Sequence, residues 1–333
     1  MTVEPSHDSN PDYVKPLPTV EHRLASPPAT AGQLKRRALK ACILASAQAR
    51  EATVVRRTPL AHVARWVGNR LEPWAARKAF VDGVQHVNGV LMEIPLGQGW
   101  GMGGEFHLAL GTYERAELDY VVRHLGPGDT FVDVGAHIGY FSLPAAKAVG
   151  PTGRVIALEP HPQSSRLLTR NAELNGFGQV TVLEVAASDH EGRAEFNMSA
   201  TTPMWSSLLS TTYSSGDAAQ VPLRTLDGVL SDEGWPRIAG LKIDVEGAEP
   251  EVIRGSAECL ERNPRAFILS EMCGGDRLEA SAETLHFLEA RRFAFYRLRW
   301  RGEPAIESIR SIMVALKSDR LFNILARRPA AAG

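Results

Sequence analysis

Cysteine is scarce and scattered. Cys42, Cys259 and Cys273 stand far apart in 333 residues and form no C-x-x-C pair. That argues against a disulfide scaffold or a zinc-finger site and favours a reducing, cytoplasmic setting. A basic excess is also lacking, since the formal net charge is −1. Nucleic-acid binders neutralise phosphates with Lys and Arg, so nucleic acid is not the expected partner. No apolar run approaches the ~20 residues that a membrane span needs. "KRRALKACILASAQA" imitates a secretory signal. It begins only at Lys35, and its unbroken apolar run is Ala41 to Ala45. A signal needs an apolar stretch of ~7–15 residues near the N-terminus. The chain has no G-x-x-x-x-G-K-[ST] loop, no H-x-x-x-H pair, no EF-hand and no internal repeat, so neither a nucleoside-triphosphate loop nor a standard metal motif is present.

What is present falls into three parts. Residues 1–32 are rich in Pro, Ser, Thr and charge and read as a disordered leader. Residues 33–110 read as an extension of two helices followed by short strands, "HVNGVLMEIPL" and "GEFHLAL". A helical cap on the main domain is the favoured reading. A substrate lid or the arm of a homodimer is the alternative. Residues 111–325 form the main domain. "TYERAELDYVVRHL" is helical, with Leu118, Val121, Val122 and Leu125 toward the core, and Gly126-Pro127-Gly128 ends it. Strands "TFVDVG", "GRVIALEP", "VTVLEVAAS", "GLKIDVEG" and "RAFILSEM" then alternate with helices at 139–148, 162–175, 247–262 and 280–292. "FAFYRL" and "SIMVALK" read as a closing pair of strands. The pattern predicts a Rossmann-like α/β fold: a mostly parallel sheet, helices on both faces and an antiparallel final strand.

Ligands of such sheets bind outside the C-terminal strand ends. The first end is Asp133 followed by Gly135-Ala136-His137-Ile138-Gly139. Its glycines permit a tight turn and close backbone approach to a ligand. The spacing is G-x-x-x-G, not the G-x-G-x-x-G of dinucleotide enzymes. The second strand ends in Glu159, 24 residues after Gly135, a position suited to both hydroxyls of a ribose. A simple helix-capping acid is the alternative. The third ends at Ala186-Ala187-Ser188-Asp189, which would suit a flat base or a plain polar turn. The fourth, "LKIDVEGAE", crowds Lys242, Asp244, Glu246 and Glu249 at one sheet tip, with Lys242 and Asp244 on the same face. A buried Lys–Asp pair needs mutual compensation, and such clusters are commoner at active sites than in scaffolding. Glu271 adds a further acid at the fifth tip.

The stretches "GTYERAE", "GDTFVDVGAHIGYFSL", "GPTGRVIALEPHP", "LLTRNAELNG", "VAASDHEG", "VPLRTLD" and "GLKIDVEGAEPEVIRG" resemble the FkbM family of class I S-adenosylmethionine-dependent methyltransferases. They cover roughly residues 111 to 272. His137 departs from the family, which commonly has Asn there. The resemblance implies that Asp133, Gly135, Ala136, His137 and Gly139 cradle the methionine and sulfonium of S-adenosylmethionine. It also implies that Glu159 holds the ribose, and that Ser188 and Asp189 lie near the adenine.

Methyl transfer to a hydroxyl needs an acceptor for the proton, either a side-chain base or a divalent cation such as Mg²⁺ that acidifies the hydroxyl. Asp244 is the first candidate for base or metal ligand, Glu246 and Glu271 follow, and Lys242 would orient Asp244. His107, His137 and His161 are further base candidates. "SATTPMWSSLLSTTYSSG" (199–216) reads as an acceptor loop or a plain surface loop, and "WRGE" (300–303) as a further wall. The expected acceptor is a small molecule, natural product or glycan. The competing readings are an NAD-dependent oxidoreductase and a non-catalytic binding protein on the same fold.

Overall fold

The computed structural model describes residues 83–95, 104–197, 218–299, 304–318 and 321–329. The expected leader, the two N-terminal helices, the 199–216 loop and the "WRGE" turn lie outside the described residues.

The domain is organised by strands too apolar to face water. β3 (Thr130–Val134) is buried at every position. β4 (Arg154–Leu158), β9 (Ile238–Ile243) and β10 (Phe267–Cys273) are buried over nearly their whole length. Strands covered on both faces pair in parallel with helical crossovers. The eight-stranded sheet has the order β12-β11-β13-β10-β9-β3-β4-β5. Here β5 is Val180–Leu183, β11 Ala294–Arg297, β12 Ala305–Glu307 and β13 Leu321–Arg327. The pairs β5–β4, β4–β3, β3–β9 and β9–β10 are parallel. β13 inserts antiparallel between β10 and β11. The chain runs outward from β3 to β5 and returns on the other side at β9. The switch point therefore lies between β3 and β9.

Each face carries its own core. Phe131, Leu269 and Leu325 face α2 (Arg115–His124), α3 (Ser142–Val149) and the hairpin β1–β2 (Gly83–Val87, Val90–Ile94). Val132, Ile243, Ile268 and Ile324 face α5 (Leu226–Asp232), α6 (Glu249–Arg254), α7 (Ala257–Arg262), α8 (Leu278–Ala290) and α9 (Ile309–Leu316). The hairpin turns at Asn88-Gly89, both at positive φ, as a two-residue hairpin requires. It docks on α4 (Pro162–Leu174) through two asparagines. Leu91 N–H donates to Asn175 Oδ1 at 2.8 Å, and Glu93 N–H donates to Asn171 Oδ1 at 2.7 Å.

Several local expectations are corrected. "GEFHLAL" is a helix, α1 (Gly104–Leu110), not a strand; Gly111 at φ 67 ends it in the left-handed conformation. "SIMVALK" is also helical: Ser308 and Ser311 form a capping box, and Ile312 and Leu316, one turn apart, are buried. Short apolar runs do not separate the two periods, and the caps decided the outcome. "VTVLEVAAS" breaks after β5. Its second half, β6 (Ala186–Ser188), leaves the main sheet to join β8 (Ala218–Thr225) and β7 (Gly192–Asn197) in a small second sheet. The 247–262 helix is two helices, interrupted at Gly255, where a Cβ would fall 2.0 Å from Ser188 O. On α2, Val122 is 38% exposed, and Tyr120 takes a place in the core instead.

Candidate active site

A cleft opens at the β3/β9 switch point, lined on one side by Gly135, Ala136 and His137 and on the other by Lys242, Asp244 and Glu246. One wall is the β3–α3 turn. Gly135 has φ 81, and a Cβ there would lie 1.8 Å from Asp244 O, so only glycine lets the tips of β3 and β9 meet. Gly139 has φ 94, and a Cβ would press on Leu168. His137 occupies the left-handed region at φ 49. Asn and His are both enriched in that region, which gives a backbone reason for the exchange of Asn for His here. Burial and nearby His161 push the His137 imidazole down to about 4, so it is neutral at physiological pH.

Glu159 faces this turn from β4. Its carboxylate accepts from His137 N–H at 2.7 Å and from His161 N–H at 2.8 Å. Burial pushes Glu159 up to about 7 against those two bonds. Asp133 is buried and accepts from Ser142 Oγ–H at 2.6 Å. Burial raises it, and Lys242 and Ser142 oppose the rise. From the third strand the cleft receives Val185, Ala186 and Ala187. Ser188 is buried behind them, and Asp189 is tied to Arg254 and His190. Among the histidines named as bases, His107 lies next to Thr112 Oγ1, and His161 caps α4.

The opposite wall is acidic. Asp133, Lys242, Asp244, Glu271 and Asn323 occupy one face of the sheet, by the registers Asp133↔Lys242, Leu269↔Lys242 and Glu271↔Asn323. Lys242 is fully enclosed, with Nζ 2.7 Å from Asp244 Oδ2, 3.9 Å from Glu114 Oε2 and 4.7 Å from the Phe141 ring centre. Burial pulls Lys242 down, but Asp244, Glu114 and Asp133 outweigh it and hold the ammonium charged. Glu246 pairs with Arg277. Glu249 accepts from the Val245 and Gly247 N–H groups, so Glu249 rather than Glu246 satisfies the turn into α6.

Glu114 is the residue the sequence reading passed over. It stands at the start of α2 at φ 39 and makes no cap hydrogen bond with its side chain. Burial, opposed by Lys242 and reinforced by Asp244, pushes it up to about 7. Glu271 is driven well above its ordinary range by burial and then by Asp244 and Glu246. Among the described residues six non-glycine residues have positive φ; His137 and Glu246 line this cleft, and Glu114 follows Tyr113, which also lines it; strained backbone clusters at functional sites. That strain was the missing signal, because Glu114 inside "TYERAE" looks like an ordinary first-turn acid.

A doubly wound sheet with a glycine turn, an acid at the next strand tip and an acidic wall across the switch point has the architecture of a Rossmann-like, class I methyltransferase. The methyltransferase FkbM domain matches residues 133–318, more than half of the chain. The chain belongs to the FkbM family of S-adenosylmethionine-dependent methyltransferases. It is 30% identical over 168 residues to methyltransferase sdnD of Sordaria araneosa, covering 42% of this chain and 64% of that protein. It is 27% identical over 190 residues to methyltransferase 1 of Beauveria bassiana, covering 50% and 74%. The O-methyltransferase from Bacillus cereus in complex with SAH is similar at 14% identity and a TM-score of 0.39, over 65% of this chain and 81% of that one. Among the described residues no helix is long and apolar enough to cross a membrane.

Proposed function

We propose that the protein transfers a methyl group from S-adenosylmethionine to a hydroxyl of a small molecule, natural product or glycan, including glycolipid sugars. The observation that carries this reading is the juxtaposition of two unlike walls in one cleft. Gly135, Ala136 and His137 with Glu159 offer backbone and a ribose-type acid, while Asp244 and Glu246 face them with carboxylates. The donor, when bound, supplies an activated methyl on a sulfonium. Glu159 would accept the ribose hydroxyls, and the Asp133–Gly139 turn would hold the methionine end. Ala186 and Ala187 leave room beside a flat base. Ser188 and Asp189 would support that wall from behind.

The residues across the cleft do the rest. As the acceptor oxygen attacks, its O–H bond breaks and the proton leaves toward the Asp244–Glu246 carboxylates. Bound between the two walls, the donor would give its methyl to that oxygen and leave as a neutral thioether, while Asp244 and Glu246 would take up the proton. Lys242 holds Asp244 in place. Positioning and exclusion of water supply most of the acceleration. A cytoplasmic setting fits Cys259 and Cys273, which are buried and unbridged.

Calorimetric titration with S-adenosylmethionine and, separately, with NAD tests the donor. Micromolar binding of the first and none of the second is expected; binding of NAD alone favours an oxidoreductase. Asp244→Asn should lower turnover far more than donor affinity, and unchanged turnover removes Asp244 from the chemistry.

A further inference from the structure

The acidic wall holds more carboxyl groups than its cations balance. Glu114 from the start of α2, Asp244 from the tip of β9 and Glu271 from β10 each place a carboxylate oxygen within 4.8 Å of the others. The cation among them is Lys242, 2.7 Å from Asp244 and 3.9 Å from Glu114. Arg277 is committed to Glu246. Three carboxyl groups share one ammonium where water is largely excluded, so bound protons or a bound cation must balance them. Uncompensated buried charge is costly.

Asn323 gives an independent sign of a missing partner. It lies opposite Glu271 on β13 and is 3% exposed. Asn323 Oδ1 has no hydrogen-bond partner, nor does Glu114 Oε2. Asn323 Oδ1 can only accept, or coordinate a cation, and so can Glu114 Oε2 when its carboxyl is ionised. Buried polar atoms without a partner are rare enough that each calls for a cause. Cys273 is a further polar neighbour, and its S–H donates to Glu271 Oε2 at 3.4 Å. It supplies no positive charge.

We propose that Glu114, Asp244 and Glu271, flanked by Asn323 Oδ1, bind a hard divalent cation, Mg²⁺ or Mn²⁺, that receives the acceptor hydroxyl. The all-oxygen set of carboxylates and an amide carbonyl suits these ions and not softer ones. A divalent ion would take the place of the protons that otherwise balance the cluster. An ion beside the cleft would also lower the pKa of a coordinated hydroxyl, so that the proton leaves before or with methyl transfer. The inference deepens the methyl-transfer reading, but the ion site can be tested without knowing the acceptor.

The experiment follows Mn²⁺ binding to the full chain by electron paramagnetic resonance, with S-adenosylmethionine titrated calorimetrically in parallel in the presence of EDTA. One Mn²⁺ per chain, displaced by Mg²⁺, is expected. Glu114→Gln and Glu271→Gln should each weaken Mn²⁺ by at least about tenfold while S-adenosylmethionine still binds, which shows that the variants fold. Asn323→Asp should retain or tighten Mn²⁺ binding, whereas a purely structural amide gains nothing for the ion from that change. A chain that binds S-adenosylmethionine but no Mn²⁺ overturns the ion site alone and leaves protons as the balancing charge. Mn²⁺ binding that Glu114→Gln and Glu271→Gln leave unchanged also overturns it, by placing the ion elsewhere. Mn²⁺ binding that responds to these variants without S-adenosylmethionine binding supports the ion site and sinks the donor reading.

Discussion

The two walls of the cleft are built by opposite means. The Gly135 wall is local. One short stretch, Asp133 to Ser142, supplies a strand tip, a left-handed turn and the start of a helix, and its bonds are mostly to backbone. The acidic wall is assembled from four segments between Glu114 and Asn323, and its bonds are mostly between side chains. A wall made of backbone is specified by what residues lack, namely a Cβ at Gly135. A wall made of charges is specified by what stands opposite each group. Damage should therefore spread differently: steric in the first, electrostatic in the second.

The largest expected effect tests the second wall. Lys242→Met removes the ammonium and leaves Asp133, Glu114 and Asp244 facing one another. Loss of one partner from a buried pair costs about 3–5 kcal/mol, to be read as a lower urea midpoint. A loss under about 1 kcal/mol, the scale of an exposed pair, would mean that the wall is wet. Next, Gly135→Ala forces a Cβ against Asp244 O at a positive φ. About 1–3 kcal/mol of destabilisation is expected, with loss of measurable S-adenosylmethionine binding. Unchanged affinity would detach the turn from the donor.

Smaller again, Glu159→Gln should weaken S-adenosylmethionine by about 1.5–3 kcal/mol, the scale of hydrogen bonds to a charged group, and leave the fold intact. The same carboxyl sets a pH dependence. Its folded value, about 7, lies above the ordinary carboxylate value of 4.5. Its stabilising contribution is complete below 4.5 and is lost as pH rises through 7. Its charged neighbours Asp133 and Asp244 both push it upward, and His137 opposite is neutral. The thermal midpoint of the free protein should thus fall as pH rises from 4.5 to about 7 and level off above it. Glu159→Gln should flatten part of that fall, and S-adenosylmethionine should offset more of it at the higher pH. A slope unchanged by Glu159→Gln would assign the dependence to other carboxyls.

The sequence carried the Rossmann-like sheet because strands such as β4 are largely apolar and alternate with amphipathic helices. It also carried Asp133, Gly135, Glu159, Lys242 and Asp244 as strand-tip residues, since a strand end followed by glycines or acids is visible in one dimension. It did not carry α1 or α9, where seven or eight residues fit either period; the Ser308–Ser311 capping box marks the start of α9, and Gly111 in the left-handed conformation ends α1. Nor did it show that β6 leaves the main sheet, because the new partner, β8, lies more than thirty residues further on.

What the sequence determined by itself is therefore whatever one segment can enforce alone: burial of a strand, a turn that tolerates only glycine, a lysine and an aspartate two residues apart on one face. Only the tertiary structure decided that Glu114 and Asn323 meet Asp244 and Glu271, and that Asp189 turns to Arg254. The energy of a buried charge depends on the groups around it in space, and those groups become neighbours only when the sheet forms.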